Sequence, residues 1–118
     1  MADAGLFIGW GQVVRGREDR ALEVFNETVE FYGQLQSDGR IESFEVCLLD
    51  PHGGELAGFA LLRGSEDQMD AVHRDEAFQR EMTKASLIVD DLGLIPASLG
   101  EGLGRAMSIY REEIGVVA

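Results

Sequence analysis

Cysteine and histidine are scarce in this 118-residue sequence, which contains one cysteine, Cys47, and two histidines, His52 and His73. A single cysteine cannot form an internal disulfide, and it cannot build a zinc site of the cysteine type. A lone histidine also leaves a four-coordinate metal without enough ligands. We therefore expect neither a metal site nor a bound cofactor.

Positive charge is equally scarce. The chain has 10 lysines and arginines against 22 aspartates and glutamates, so its formal net charge is −12. A nucleic-acid binder needs a basic surface to displace the counterions of phosphate, and binding to an anionic membrane makes the same demand. We therefore expect no nucleic acid and no membrane among the partners, and we attribute the acidity to solubility.

Long apolar runs are missing as well. No run approaches the roughly 20 residues that span a bilayer. Residues 1–5 lack the basic region of a signal peptide, and no long apolar region follows them. These absences predict a cytoplasmic protein with a reduced cysteine.

The composition that remains is that of an ordinary globular domain. Apolar residues make up 45% of the chain and charged residues 27%, which provides enough apolar surface for a core and argues against disorder. The length suits one domain, and no linker or charged tail interrupts it. We predict one domain over residues 1–118.

The spacing of apolar residues predicts an α+β fold with β-α-β-β-α-β order. Strands are expected over residues 6–14, 41–49, 55–63 and 94–100, and helices over 17–38, 65–90 and 103–114. The second helix opens at a capping box, Ser65-x-x-Gln68, and we expect a break near Arg74 and an end at Gly93. Pro96 predicts an edge position or a bulge for the last strand.

Spacings of three and four also predict which helix side chains face inward. In the first helix they are Ala21, Leu22, Phe25, Val29, Tyr32 and Leu35. In the second helix they are Met69, Val72, His73, Phe78, Met82, Ala85 and Val89, and in the short terminal helix Ala106, Ile109, Tyr110 and Ile114. Two main helices with such stripes can cover one face of a four-stranded antiparallel sheet.

Both faces of the predicted sheet are apolar, however. In the second strand, one face carries Phe44, Val46 and Leu48, and the other carries Ile41, Ser43, Glu45, Cys47 and Leu49. In the third strand, Leu56, Gly58, Ala60 and Leu62 oppose Ala57, Phe59 and Leu61. We therefore predict a homodimer in which a second copy covers the face that the helices leave open. The alternative is a monomer whose terminal helix folds across that face.

These features together resemble the ferredoxin-like dimeric α/β-barrel superfamily. The resemblance rests on the element order, on the strand that carries Trp10, on the hairpin around Asp50-Pro51-His52-Gly53-Gly54, and on the broken helix ending in Leu87-Ile88-Val89-Asp90-Asp91-Leu92-Gly93. It covers about residues 6–101 and is greatest to short bacterial members of unknown role. It implies a homodimer whose sheets form a barrel, with a cavity between sheet and helices. Members include cofactor-free monooxygenases of polyketide quinones, haem-degrading enzymes and lactone isomerases.

The two histidines are the candidate catalytic residues. His52 lies in the hairpin turn beside Asp50, where it is either a solvated loop residue or a base at the barrel rim. His73 follows Asp70 by three residues, so the two side chains share a helix face. The alternatives for His73 are a boundary residue bonded to Asp70 or to the backbone, a contact to a cavity ligand, and a haem ligand.

The candidate ligand-binding residues are mostly aromatic. Trp10 stands between Gly9 and Gly11, and a large ring with small neighbours can form a cavity wall. Arg63, at the end of the third strand, is a candidate anchor for an anionic ligand. The full candidate set is Trp10, Phe44, Phe59, Arg63 and His73, with Phe25 and Tyr32 beside it. The alternative is that the rings are core or interface residues.

We therefore predict a homodimer that binds a small apolar or aromatic ligand in the cavity between sheet and helices. The alternative is a cofactor-independent monooxygenase or isomerase of the dimeric α/β-barrel type, with Trp10, His52 and His73 near the cavity. A second alternative is haem binding. Histidines in solvent around a filled cavity would count against the enzyme, whereas a histidine in an open cavity beside Trp10 would favour it.

Overall fold

The computed structural model describes residues 2–117. In chain order its elements are β1 (Ala4–Trp10), α1 (Glu18–Ser37), β2 (Ser43–Leu48), β3 (Gly58–Gly64), α2 (Glu66–Arg74), α3 (Glu76–Ser86), β4 (Gly93–Ser98) and α4 (Gly100–Val117). This order confirms the predicted α+β plan, with the second helix divided into α2 and α3.

The four strands form one open antiparallel sheet in the order β2-β3-β1-β4. Because β4 is an edge strand, the predicted edge position of Pro96 is confirmed. An edge strand pairs on one side only, so it tolerates a proline, which has no N–H to donate. Helices α1, α2 and α3 cover one face of the sheet. The other face, which we call the open sheet face, carries Phe7, Cys47, Phe59, Leu61, Ile95, Ala97 and Leu99.

Local sequence signals account for the helix ends. Ser65 Oγ accepts a hydrogen bond from the Gln68 backbone N–H at 3.1 Å, and the Gln68 side chain accepts one from the Ser65 N–H at 2.8 Å. This reciprocal pair confirms the capping box at the start of α2. The predicted break lies at Asp75, whose extended backbone separates α2 from α3. At the end of α1, Gly39 takes a φ of 73°, the left-handed conformation that glycine adopts without strain.

The main core lies between the sheet and the helices. Its largest fully buried side chains include Leu6, Ile8, Leu62, Val72 and Phe78, each at most 2% exposed. They come from β1, β3, α2 and α3, so the two central strands and the broken helix share one core. Burying each large apolar side chain contributes about 1.5–3 kcal/mol relative to exposure.

Two predicted element ends are wrong, and one local pairing explains both. β1 stops at Trp10 instead of continuing to residue 14, and α3 stops at Ser86 instead of running towards residue 90. The chain segments that follow them, residues 11–14 and 88–90, leave their elements and pair with each other through backbone hydrogen bonds. Gly93 consequently begins β4 and does not end a helix.

Several predicted side-chain positions also differ. Leu22 is 63% exposed, and Val24 is buried instead. The buried side of α1 carries Ala21, Val24, Tyr32 and Leu35, and Leu22 does not lie on it. His73 is exposed, since α2 buries only Met69 and Val72 and each residue is rotated by about 100° from the one before it.

The ends of the central hairpin differ as well. Ile41 is buried in the core and does not lie on the open sheet face, because it precedes β2 and does not follow its alternation. Residues 49–57 form a longer connection than predicted, and β3 begins only at Gly58.

The terminal helix is longer than predicted and does not cover the open sheet face. α4 has 18 residues, and every residue from Leu103 to Val116 is exposed. The alternative in which this helix folds across the sheet is therefore wrong within residues 2–117, and the open sheet face is left to solvent in a single copy.

Candidate functional site

A cavity of about 350 Å³ lies between the sheet and helices α1 and α3, at the end of the sheet where β1 finishes. Its wall is almost wholly apolar and includes Trp10, Phe25, Val29, Tyr32, Val46 and Met82. Among the described residues, the only charged side chain in the wall is that of Glu18, which is exposed. Such a site accommodates uncharged apolar molecules far better than ions, because an ion would lose its hydration.

Trp10 enters this wall as the last residue of β1. Directly opposite it on β3 lies Gly58, and a Cβ atom there would be 2.7 Å from Cζ2 of the indole. The ring therefore lies across the glycine, and a larger residue at position 58 would displace it. Phe25 of α1 approaches the indole edge-on, with 6.3 Å between the ring centroids.

Exposed apolar side chains surround the opening of the cavity. Val13, Leu22 and Leu48 belong to the wall and are 41%, 63% and 68% exposed. The paired segments 11–14 and 88–90 contribute further wall residues beside Val13. An entering apolar ligand would thus meet apolar side chains at the opening.

A group of polar residues, the carboxylate cluster, lies between α1 and α3. It consists of Glu27, Thr28, Glu81 and Lys84. Thr28, which lines the cavity, donates its hydroxyl to Glu81 Oε2 at 3.3 Å. Lys84 Nζ lies 2.9 Å from Glu27 Oε2 and 3.6 Å from Glu81 Oε1. The cluster therefore links the two helices that flank the cavity.

Burial separates the two carboxyl groups of this cluster. Desolvation, with the hydrogen bond and charge of Glu27, raises the pKa of Glu81, which is only 8% exposed. The hydrogen bond from Lys84 lowers the pKa of the exposed Glu27. Burial also raises the pKa of Tyr32, and the charge of Glu81 adds to that rise. Tyr32 is therefore a neutral phenol at ordinary pH, and Glu81 is the carboxyl of the cluster that more readily holds a proton.

The structure separates the predicted ligand-binding residues. Trp10 lies in the cavity wall, as do Phe25 and Tyr32. Phe44 lies behind that wall and packs against Tyr32 with 5.7 Å between centroids. Phe59 lies on the open sheet face, where it stacks on Phe7, so its expected place in the cavity is wrong.

Arg63 also lies on the open side of the sheet. Its guanidinium contacts Glu45 Oε1 at 2.6 Å, which places this ion pair beside the apolar part of the open sheet face. Arg63 therefore meets a carboxylate of its own chain and does not reach the cavity wall.

His52 organises the hairpin loop. Its Nδ1 accepts a hydrogen bond from the Gly54 N–H at 3.2 Å, and its Nε2 lies 2.7 Å from the Leu56 carbonyl oxygen. Because the backbone N–H occupies Nδ1, we assign the ring proton to Nε2, which donates to Leu56. These two bonds hold an exposed loop, and His52 is not part of the cavity wall.

His73 lies away from the cavity as well. It is exposed near the end of α2, as is Asp70, and neither residue belongs to the cavity wall. The prediction that His73 faces inward is therefore wrong, and the structure brings neither histidine beside Trp10. Within residues 2–117, no group of three or more histidine, cysteine, aspartate or glutamate side chains is arranged to hold a metal ion.

Sequence reasoning missed the polar part of the site. Thr28 falls on the same stripe of α1 as Tyr32, four residues away, and that spacing is a signal that could have found it. Glu81 precedes the predicted inward residue Met82, but a glutamate in a helix ordinarily indicates a solvated face. The contact between Thr28 and Glu81 depends on how α1 packs against α3. The spacing of residues within one helix does not predict that packing.

Comparison with known proteins finds no matching family model and no matching curated protein sequence, but it finds similar solved structures. A dimeric protein of unknown function and ferredoxin-like fold from Bacteroides fragilis has a TM-score of 0.58 at 14% identity, covering 81% of this chain and 96% of that one. An ethyl tert-butyl ether D (EthD) family protein from Bacillus halodurans has 0.65 at 9%, covering 83% and 99%. A variant of SnoaB, a cofactor-independent oxygenase from Streptomyces nogalater, has 0.56 at 16%, covering 84% and 97%.

These similarities establish the fold. The chain has the ferredoxin-like fold, as the resemblance in the sequence predicted. Its sheet is open in the single copy and not closed into a barrel. None of the helices within the described residues has the length and apolar character of a membrane span.

Proposed function

We propose that this protein is a homodimer of one ferredoxin-like domain per chain that binds a small, uncharged apolar or aromatic molecule in its sheet–helix cavity. The observation that carries the proposal is the unfilled apolar cavity of about 350 Å³ beside Trp10. Ligand sites commonly measure about 300–1,000 Å³ and have mostly apolar walls with few polar groups. Besides the exposed Glu18, the wall includes two hydroxyl-bearing residues, Thr28 and Tyr32.

The homodimer is supported by the open sheet face. Its half-buried aromatic pair, Phe7 and Phe59, stacks with 5.0 Å between centroids, and Ile95 beside it is 54% exposed. An apolar patch on a sheet is an association surface, and packing two such sheets about 10 Å apart would bury it. The similar ferredoxin-like protein from Bacteroides fragilis is described as dimeric.

Ligand binding is tested with N-phenyl-1-naphthylamine, an uncharged aromatic probe whose emission rises in apolar surroundings. Trp10 is the only tryptophan of the chain, so energy transfer from its indole reports a probe bound near the cavity wall. We expect saturable binding with quenching of the Trp10 emission. Weak, non-saturable binding without quenching would show that the cavity does not act as a site.

A matched pair of variants on α3 locates the probe. Ala85 lines the cavity and Ala77 is exposed on the same helix. Ala85→Leu fills part of the cavity and is expected to weaken binding about tenfold, which corresponds to about 1.4 kcal/mol. Ala77→Leu is expected to leave binding unchanged. Equal affinities of the two variants would contradict binding in the cavity.

A cofactor-independent oxygenase or isomerase is the second candidate function. It is favoured by one arrangement, in which Thr28 joins the cavity to Glu81, a buried carboxyl whose raised pKa lets it hold a proton. The likeness to SnoaB agrees with this candidate but supports only the fold. A probe that binds and is recovered unaltered after long aerobic incubation would favour binding over catalysis.

A further inference from the structure

Helix α4 presents an apolar stripe that its own chain does not cover. The stripe, which we call the arm stripe, consists of Leu103, Met107, Tyr110 and Ile114, and these side chains are 52%, 49%, 62% and 46% exposed. Their spacing of four, three and four residues places them on one side of the helix. Four large apolar side chains on one exposed helix face indicate a surface that packs against something else.

The helix extends away from the body of the molecule. Its start is held against the N-terminal segment, where Gly102 lies against the Asp3 backbone and Arg105 lies 3.6 Å from the Asp3 carboxylate. Beyond Gly102 all described side chains are exposed. The radius of gyration is 16.2 Å, whereas a compact chain of this length has about 13.5 Å. α4 is thus an extended arm in the single copy.

The arm stripe is continuous with the open sheet face. A Cβ atom on Gly5 would lie 2.9 Å from Leu99 Cδ1 and 3.2 Å from Leu61 Cδ1, so both leucines lie on the open sheet face. Leu103 follows Leu99 by one helical turn and donates its backbone N–H to the Leu99 carbonyl. The apolar surface therefore runs from the sheet onto the helix, and a partner that covers the sheet would also reach the arm.

The arm is also the right size to be an addition to the shared fold. The three similar structures are covered over 96 to 99% of their length, yet they cover only 81 to 84% of this chain. About a sixth to a fifth of this chain therefore lies outside the match to those proteins. α4, with 18 of the 118 residues, is of that size.

We propose that α4 is a dimerisation arm whose arm stripe packs against a second copy of this chain, extending the interface made by the open sheet face. The inference rests on the homodimer of the proposed function. Because the arm stripe is continuous with the open sheet face, a second copy that covers the sheet is favoured as the partner of the arm stripe. An anionic membrane is disfavoured by the net charge of −12, which such a surface repels.

The test compares two lysine substitutions at neighbouring positions of α4. Met107→Lys places a charge in the middle of the arm stripe, whereas Ser108→Lys adds the same charge on the side of the helix turned away from it. Both side chains are exposed, so neither variant should disturb folding of the body. Sedimentation velocity over a dilution series measures the dimer dissociation constant of each full-length protein.

We expect Met107→Lys to raise the dimer dissociation constant about tenfold and Ser108→Lys to leave it at the value of the unsubstituted protein. An equal dimer dissociation constant in all three proteins would contradict the role of α4 as a dimerisation arm. It would not contradict the interface at the open sheet face. A monomeric unsubstituted protein would overturn both. Partition into phosphatidylcholine vesicles that Met107→Lys abolishes, with an unchanged dimer, would assign the arm stripe to lipid and also overturn the proposal.

Discussion

The two faces of the sheet carry similar apolar side chains but are covered differently. On the helix-covered face, Leu6 and Leu62 are at most 2% exposed. On the open sheet face, Phe7 and Phe59 stack on each other and are only half-buried. The same strands supply both faces, since successive side chains point to opposite sides, and the chain's own helices cover one of the two apolar faces.

A second contrast lies within the helix-covered face. Near α2 and the start of α3, Val72 and Phe78 are 0% and 1% exposed and fill the space against the sheet. Near α1, Phe25 and Val29 are half-buried around the cavity. Unfilled space in a core lowers stability, so the packed end of this core contributes more to stability than the end that contains the cavity.

The largest predicted effect tests the contrast between the two sheet faces. Leu61→Arg places a charge in the centre of the open sheet face, opposite Phe7. The cross-strand neighbour of Leu61 on β2 is Glu45, whose carboxylate already binds Arg63. If a second copy covers that face, burying the added charge without a carboxylate of its own costs about 3–5 kcal/mol, which weakens the dimer more than hundredfold. Light scattering on a sizing column should then report a monomer in place of the dimer.

The control carries the same substitution at a leucine away from that face. Leu87 is 59% exposed and belongs neither to the cavity wall nor to the open sheet face. Leu87→Arg should leave the dimer intact. Loss of the dimer in both variants would point to a general effect of the added charge, and retention in both would refute the sheet interface.

The next effect tests the contrast between the packed end and the cavity end. Phe78→Ala empties a fully packed site and should lower the free energy of unfolding by about 3–5 kcal/mol. Phe25→Ala enlarges a cavity that already exists, and its loss should be smaller by at least about 1 kcal/mol. Urea unfolding followed by circular dichroism measures both. Equal losses would mean that the space beside Phe25 is filled in solution.

Much of this architecture follows from local patterns in the sequence. Runs of strand-favouring apolar residues predict the four strands, and the capping box at Ser65 predicts the start of α2. Pro96 predicts an edge position or a bulge for the last strand. These features depend on residues close together in the chain, so their physics can be evaluated from the sequence alone. Strand and helix ends were less accurate where distant segments decide them, as with residues 11–14 and 88–90.

The candidate site was less predictable because it depends on how elements meet. Trp10 was identified from its glycine neighbours, but Gly58, on which its ring lies, belongs to another strand. His73 has the helical spacing of an inward residue and is nevertheless exposed, because α2 turns only Met69 and Val72 inward. Glu81 has the composition of a surface residue, and only the packing of α1 against α3 buries it.

The smallest predicted effect concerns this buried carboxyl and its pH dependence. The pKa of Glu81 in the folded protein is raised above the ordinary value of 4.5, chiefly by burial. The folded state therefore binds more protons than the unfolded state between the two values, so this group lowers stability as pH rises through that window. Glu81→Gln removes the loss and keeps an acceptor for Thr28. Thermal unfolding should show a gain at pH 7, of roughly 1 kcal/mol or less, that shrinks at pH 4.

The comparison variant is Glu76→Gln, which removes an exposed carboxyl from the same helix. Glu76 lies 3.6 Å from Arg80, and both side chains are largely exposed, so solvent screens this pair and its removal should change stability little at either pH. A gain at pH 7 confined to Glu81→Gln would establish that burial sets the energy of the carboxylate cluster. A loss at pH 7 would mean instead that the attraction of Lys84 for a charged Glu81 outweighs its desolvation, and that the cavity lies beside a carboxylate rather than a group that holds a proton.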